Sequence, residues 1–193
     1  MPGVVSVIGF YGKLPARGDF VRAGLPREFV DPWDAWLQRV LPASRTMLRD
    51  GWEPAWLEAP VWRFALPPGL CGPFPVVGLW MPSVDRVGRY YPLMIACVGC
   101  DRLPAGADDP VSGFLAAADE AGRTAIVEEW APDALMSRLE GQGSKVGLAE
   151  DFTASHPTWW TDSGPLCPAT QLTLANLPDA RTFARMLDAR GEP

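Results

Sequence analysis

The chain is poor in the residues that build common catalytic and metal sites, with one histidine, His156, among 193 residues. A Ser-His-Asp hydrolase would have to use that histidine, and its candidate partners Ser83 and Asp85 do not lie in a G-x-S-x-G turn. A zinc site needs about four ligands at suitable spacing, and the sequence offers no such set. We therefore expect no catalytic residues, no metal ion and no cofactor.

Cysteine occurs at an ordinary level, four residues in all, and Cys97 and Cys100 form a C-x-x-C pair. A redox-active pair of this spacing usually opens a helix, whose N-terminus lowers the pKa of the thiol. Here the pair ends an apolar run and is followed by Asp101 and Pro104, which do not begin a helix. The pattern predicts buried structural cysteines, since free cysteine is among the most buried residue types.

Long hydrophobic runs and basic clusters are also missing. The apolar stretch at 4–8 is too short for a signal peptide or a membrane span. The net charge is −6, divided into +2 over residues 1–100 and −8 over residues 101–193. An acidic chain without a basic run is a poor ligand for nucleic acid and for anionic membranes. We expect a cytoplasmic protein with reduced thiols that neither binds nucleic acid nor inserts into a membrane.

The apolar content of 48% and the chain length predict one domain over residues 1–193 with an ample core. Three consecutive apolar runs, at 61–66, 76–81 and 90–98, are joined by short links. Short links favour antiparallel neighbours in one sheet. Further strands are predicted at 4–8, 158–161 and 170–175.

Helical periodicity accounts for much of the remaining chain. The clearest helix is expected to have Asp31 as its N-cap and Pro32 at its first position, and to reach Leu48 with a kink or break at Pro42. Further helices are predicted at about 52–57, 110–129, 133–140 and 178–189. The whole pattern predicts an α+β fold, in which helices flank both faces of a mostly antiparallel or mixed central sheet, an α/β/α sandwich.

Two short charged segments, residues 9–20 and 82–90, each follow a strand-like run and combine glycine, proline and full charges. Such residues make well-defined loops, and rigid polar loops serve local structure, partner binding or catalysis. We predict that the two loops lie side by side at one end of the sheet. The candidate residues for partner binding or for ordering the loops are Lys13, Arg17, Asp19, Asp85, Arg86 and Arg89.

Ion pairs are expected within this loop pair, with Asp19 or Asp85 paired to Arg86 or Arg89. In one interpretation these charges form a solvated pair of loops whose local salt bridges hold their shape. In another, Arg86 and Arg89 contact a protein partner, because arginine is a frequent energetic anchor of interfaces.

The interpretation as a partner contact also involves aromatic residues. We expect an exposed neighbour such as Tyr90 or Tyr91 to join the arginines in the contact. The chain also holds nine tryptophans, which predict an aromatic core. Exposed rings are expected mainly at the pair Trp159 and Trp160, since adjacent strand residues face opposite ways.

The first loop also has features of a phosphate site, namely a strand followed by glycines and a lysine. The spacing departs from the G-x-x-x-x-G-K-[ST] pattern, because Leu14 stands where the hydroxyl residue belongs after Lys13. A nucleotide- or phosphate-handling enzyme that uses loop 9–18 with Arg86 and Arg89 remains the alternative to a non-enzymatic binding protein.

Five sequence segments occur in the order GFYGKLP (9–15), GDF (18–20), FVDPWDAWL (29–37), APVWRF (59–64) and MPSVDRVGRY (81–90). Together they resemble the type VI secretion-associated protein family TagF, also called ImpM, with weaker similarity at 159–161 and 177–183. The resemblance implies a cytoplasmic accessory protein that represses the secretion system after translation by binding a forkhead-associated-domain scaffold protein. It implies no catalytic residues.

Overall fold

The structure is a computed structural model that describes residues 6–100, 110–140 and 155–190. These residues form a sheet of seven strands in which every neighbouring pair is antiparallel. In chain order the strands are β1 (Val7–Gly12), β2 (Val21–Ala23), β3 (Trp62–Leu66), β4 (Val76–Met81), β5 (Leu93–Val98), β6 (Thr158–Thr161) and β7 (Thr170–Thr173). Their order across the sheet is β2-β1-β5-β4-β3-β6-β7, which confirms the predicted antiparallel neighbours.

The described residues also form five α-helices, which cover both faces of the sheet. They are α1 (Arg27–Leu48), α2 (Trp52–Glu58), α3 (Pro110–Val127), α4 (Pro132–Glu140) and α5 (Ala180–Leu187). One buried cluster joins α1, α2 and α5 to one face, and a second joins α3 and α4 to the other. The predicted α+β fold with helices on both faces is confirmed.

The central strands β4 and β5 are buried along their whole length, which explains their almost continuous apolar sequence. Along β4, Val76 and Trp80 belong to the cluster under α1, whereas Val77, Leu79 and Met81 belong to the cluster under α3. Because successive side chains of a strand point to opposite faces, β4 contributes residues to the core on each side of the sheet.

The aromatic residues mostly fill the core beneath α1, as predicted. Seven of the tryptophans are buried there or beside it: Trp33, Trp36, Trp52, Trp56, Trp62, Trp80 and Trp159. Trp160 is half-buried, so the expected exposure at the Trp159-Trp160 pair is only partly met. Two indole N–H groups also fix α5, because Trp36 donates to the carbonyl of Pro178 and Trp62 to that of Met186.

Helix α1 begins one turn earlier than the sequence pattern predicts, at Arg27 rather than after Asp31. Phe29 and Val30 are buried and extend the apolar stripe that contains Trp33 toward the N-terminus of the helix. Because burial of this extra turn stabilises the helix, the prediction of Asp31 as N-cap is wrong.

Helix α1 also continues through Pro42, where the sequence predicts a kink or break. Pro42 and Gln38 are both exposed, so the carbonyl of Gln38, which loses its amide partner, lies on the solvent side. On the opposite side Val40, Leu41 and Ser44 are buried. A proline in a helix interior costs about 3 kcal/mol, and the burial of this face offsets that cost, so the helix remains unbroken.

Strand β1 extends to Gly12 instead of Ile8 and so includes the first residues of the predicted loop 9–20. It pairs with β5 on one side and with β2, a strand that was not predicted, on the other. A Cβ at Gly9 would lie 2.1 Å from the carbonyl oxygen of Ala23. Gly9 is therefore a site of close strand approach rather than a loop residue. Residues 4 and 5 of the predicted strand lie outside the described residues.

Strand β5 begins at Leu93, three residues later than predicted. Pro92 has no amide hydrogen to donate to a strand ladder, and Tyr90 forms only an isolated bridge with Val84. The second charged loop therefore spans residues 82–92.

All four cysteines are buried and none is part of a disulfide bond, which confirms their predicted burial. Burial raises the pKa of the Cys71 thiol to about 12. A hydrogen bond with Cys100, together with burial, raises the pKa of the Cys97 thiol. Thiols of this kind are protonated at neutral pH and are poor nucleophiles.

Candidate functional site

The two charged loops meet because β1 and β4 flank the same strand. Both are antiparallel to β5, so they run parallel to each other and end at the same edge of the sheet. The loops that follow them, 13–20 and 82–92, are in contact, since the amide of Arg86 donates to the carbonyl of Arg17 over 2.9 Å. The predicted side-by-side placement of the loops is confirmed.

A buried ion pair lies at the centre of the two loops. Lys13 Nζ is 2.6 Å from Asp85 Oδ2, and the two side chains are 6% and 0% exposed. Burial by itself would raise the pKa of the Asp85 carboxyl, but hydrogen bonds from Lys13, Arg89 and the Val87 amide outweigh it and hold the pKa far below its usual range. Asp85 is therefore ionised at neutral pH and forms a buried ion pair with Lys13.

Asp85 also fixes the conformation of its own loop. Its Oδ1 accepts hydrogen bonds from the amides of Val87 and Arg89 at 3.0 and 2.9 Å, and its Oδ2 accepts from Arg89 Nε at 2.7 Å. The amide of Gly88 donates to the carbonyl of Asp85, and Gly88 has a φ of 84°, which favours glycine. The predicted Asp85–Arg89 pair is confirmed, and it closes the turn 85–89.

Further hydrogen bonds join this turn to the first loop and to the core. Ser83 Oγ donates to the carbonyl of Lys13 over 2.8 Å, and the guanidinium of Arg89 donates to the carbonyl of Gly18. From α2, Trp56 Nε1 donates to the carbonyl of Ser83. Ser83 is thus a buried structural residue whose hydroxyl is already used.

Six side chains of the loop pair are exposed, and we call them the paired-loop surface. Phe20 is 50% exposed and Val87 is 66% exposed. An open depression of about 340 Å³ lies between the two loops and is lined by residues 17–21 and by Arg86. The paired-loop surface consists of Arg17, Asp19, Phe20, Arg86, Val87 and Arg89.

The structure gives the candidate residues different environments. Lys13 is buried, so it takes no part in the exposed face, although it orders that face from below. Tyr91 is buried and Tyr90 only half-buried, so Tyr91 is wrong as a candidate contact. In residues 6–100, 110–140 and 155–190, neither Asp19 nor Arg86 forms an ion pair.

The sequence analysis missed a cluster of aromatic rings around one carboxylate beneath this surface. The hydroxyls of Tyr11 and Tyr91 both donate to Asp34 Oδ1, over 2.7 and 2.6 Å. The ring of Phe20 stacks on Tyr11 with centroids 5.6 Å apart and meets Tyr91 edge-on at 4.7 Å. Lys13 Nζ lies 5.1 Å from the centre of the Phe20 ring. Phe20 is therefore held in place although half of it is exposed.

This arrangement strongly shifts the pKa values of both tyrosines. Burial, followed by the hydrogen bond to Asp34, raises the pKa of Tyr11 and of Tyr91 far above the usual range. Asp34 lies 23 and 57 residues away from them in sequence. No spacing pattern links such distant positions, and only the fold brings them together.

The geometry departs from that of a phosphate loop. Gly12 lies in β1 with a φ of 142°, and a Cβ there would lie 2.0 Å from the carbonyl oxygen of Pro92. Lys13 points into the protein against Asp85, and the strand β2 follows the loop where a helix would be needed. Gly12 and Lys13 thus serve close backbone packing and a buried ion pair.

The described ranges hold neither a cluster of metal ligands nor a helix that could span a membrane. Nowhere in them do three or more His, Cys, Asp or Glu side chains come together as ligands for a metal ion. None of the helices in these ranges has the length and apolar character needed to cross a membrane.

Comparisons with known proteins place the chain in a family. Residues 9–141, more than half of the chain, match the profile of the TagF N-terminal domain, described as type VI secretion system-associated. The crystal structure of PA0076 from Pseudomonas aeruginosa PAO1 is 35% identical in sequence, covers 96% of each chain and superposes with a TM-score of 0.67. No curated protein matches the chain.

Proposed function

We propose a function from the premise that the chain belongs to the TagF family of type VI secretion system-associated proteins. In this proposal it is a regulatory accessory protein that acts by binding another protein through the paired-loop surface. Family membership links the chain to the type VI secretion system, and the paired-loop surface is the candidate contact with the partner.

The proposed contact rests on the observation that the two loops are held in a fixed conformation. Asp85 accepts four hydrogen bonds through its carboxylate and so holds a surface that exposes arginines together with two apolar side chains, Phe20 and Val87. Arginine and aromatic residues are the most frequent energetic anchors of protein interfaces. A surface that is fixed before binding loses little conformational entropy when a partner docks, and this favours affinity.

We further propose that the partner is the forkhead-associated-domain scaffold protein of the secretion system. Binding would repress secretion after translation, in the cytoplasm, and without catalysis by this chain. The identity of the partner follows from the family resemblance. The non-catalytic role is supported by the loop chemistry, in which Ser83, Lys13 and Asp85 are all engaged in structural hydrogen bonds.

The direct test is co-elution of the purified chain with the purified scaffold from the same bacterium. Three forms are compared: wild type, Arg86→Glu, and Arg181→Glu as a matched control with the same charge change on an exposed residue of α5. We expect Arg86→Glu to weaken binding by about ten-fold or more, and Arg181→Glu to bind like wild type. Thermal melting of each form checks that the fold is retained.

A secretion assay tests the regulatory part of the proposal. Deletion of the gene should raise secretion by the type VI system, and expression of wild type or Arg181→Glu should restore repression. Arg86→Glu should fail to restore it at equal protein level. Wild type that does not co-elute with the scaffold would overturn the partner, and a deletion that leaves secretion unchanged would overturn the repressor role.

A further inference from the structure

We infer that the paired-loop surface recognises an acidic segment of its partner, in which carboxylates flank an apolar side chain. This inference rests on the proposed function and specifies the chemistry of the same contact. We propose that this segment binds in the depression between the loops, which is lined by Arg17, Phe20 and Arg86 among other residues.

The charge of the surface is the first argument. Asp85 is buried and its charge is offset by that of buried Lys13, so it presents no negative charge to a partner and leaves the charge of Arg89 uncancelled. Arg17, Arg86 and Arg89 are exposed, and Asp19 is the one acid among the six residues of the surface. A cationic patch on a chain of net charge −6 is a local feature that attracts acidic groups.

The geometry of the arginines is the second argument. The main chains of Arg17 and Arg86 are joined by a hydrogen bond of 2.9 Å, so the two side chains emerge from one rigid unit. Neither side chain forms an ion pair within the described ranges, which leaves both guanidinium groups available. A guanidinium binds a carboxylate through two parallel hydrogen bonds.

The apolar component comes from Phe20. Its ring is held by Tyr11 and Tyr91, yet half of its surface is exposed beside the arginines. An exposed aromatic ring that is immobilised from below offers contact area at low entropic cost. A segment of carboxylates alone would leave this ring in water, so we include an apolar side chain in the recognised segment.

A protein segment fits these features better than a nucleic acid. A nucleic acid would meet Asp19 and an overall acidic chain, and it is bound mainly through many phosphate contacts on a basic surface. Three arginines around one aromatic ring instead match a short stretch of Asp or Glu with one hydrophobic residue.

The test is the affinity of the purified scaffold for four forms of the full chain: wild type, Arg17→Glu/Arg86→Glu, Phe20→Ser and Arg181→Glu. Each titration is run at about 50 mM and about 300 mM salt, because screening weakens contacts between exposed charges. We expect the double variant to bind at least ten-fold more weakly than wild type at low salt and to lose most of the salt dependence, by the loss of charge pairs. Arg181→Glu should match wild type.

The outcomes separate this inference from the proposed function. Wild-type binding that is unaffected by the double variant overturns the acidic-segment inference and leaves the scaffold as the partner. Absence of wild-type binding overturns both. If Phe20→Ser binds as well as wild type while the double variant does not, the apolar component of the recognised segment is wrong. Sedimentation of the chain alone tests a second copy as the occupant, and a salt-sensitive dimer lost in the double variant would overturn the inference.

A photo-cross-linking amino acid in place of Asp19 identifies the segment directly. The cross-linked complex with the scaffold is then digested. The scaffold peptide attached at position 19 should contain at least two Asp or Glu residues next to a hydrophobic residue. Replacing those acids with lysine should weaken wild-type binding and improve binding of Arg17→Glu/Arg86→Glu. A captured peptide without carboxylates contradicts the inference.

Discussion

Lys13 Nζ lies 2.6 Å from Asp85 Oδ2 and so joins two loops that are 72 residues apart in sequence. Both side chains are almost fully buried, and a buried charge is costly unless it is paired. The pair therefore couples the end of β1 to the loop that precedes β5. Removal of either partner should disturb the arrangement of the paired-loop surface.

Asp85→Ala is predicted to destabilise the protein by about 3–5 kcal/mol, because it leaves Lys13 buried without a counter-charge. Lys13→Met should cost less, since Asp85 keeps Arg89 and two backbone amides as partners. Urea denaturation measures both changes. Asp19→Ala, an exposed acid of the same loop pair, is the control and should change stability by less than about 0.5 kcal/mol. Equal effects of Asp85→Ala and Asp19→Ala would contradict a structural role for the buried pair.

Acid should destabilise the protein in part through Asp85. Its pKa in the folded state lies well below that of an unfolded aspartate, which is about 3.9. The stability that Asp85 contributes is therefore present above that value and is lost as the pH falls below it. Urea denaturation between about pH 5 and pH 2 should show a steeper loss for wild type than for Asp85→Asn. Parallel curves for the two proteins would contradict the lowered pKa.

The tyrosine side chains predict how the protein responds to alkaline pH. The pKa values of Tyr11, Tyr90 and Tyr91, the three tyrosines of the chain, are all raised in the folded state. Their contribution to stability is present below the unfolded pKa of about 10 and is lost as the pH rises above it. The phenolate absorbance of Tyr11 and Tyr91 should therefore stay low above pH ~10 and rise only with unfolding. Asp34→Ala should move this rise to lower pH, whereas titration of the wild-type rings near pH ~10 in the folded protein would contradict the cluster.

Gly12 and Gly18 provide a matched test of the loop geometry. Gly12 has a φ of 142°, and a Cβ there would lie 2.0 Å from the carbonyl oxygen of Pro92, whereas a Cβ at Gly18 meets no atom within 4 Å. Gly12→Ala should cost at least about 2 kcal/mol, while Gly18→Ala should change stability by less than about 0.5 kcal/mol. Thermal melting ranks the two variants. A mild effect of Gly12→Ala would mean that β1 and the residues before β5 are not packed this closely.

Much of the fold could be predicted from apolar runs alone. The runs at 76–81 and 158–161 form strands with the predicted bounds. The first of them is apolar throughout because β4 is buried on both faces. The bounds of α1 could not be predicted from local signals. A cap residue and a proline suggest a start and a break, but burial of the helix face against the sheet outweighs both.

The candidate site was predictable where it is local. Asp85 and Arg89 are four residues apart in a loop, and their pairing follows from that proximity. The two loops meet because β1 and β4 flank β5, an order across the sheet that the local patterns do not contain. The contacts of Lys13 with Asp85 and of Tyr11 and Tyr91 with Asp34 depend on the strand order, which no local pattern contains.

The contact itself can be observed by NMR on the labelled chain with and without the purified scaffold. The largest shift changes should fall on the amides of Gly18, Asp19 and Phe20 and on the methyl groups of Val87, with little change at the exposed residues of α5. Changes concentrated on α5 or on the edge strand β7, with the paired-loop surface unaffected, would contradict the assignment of this surface as the site of partner binding.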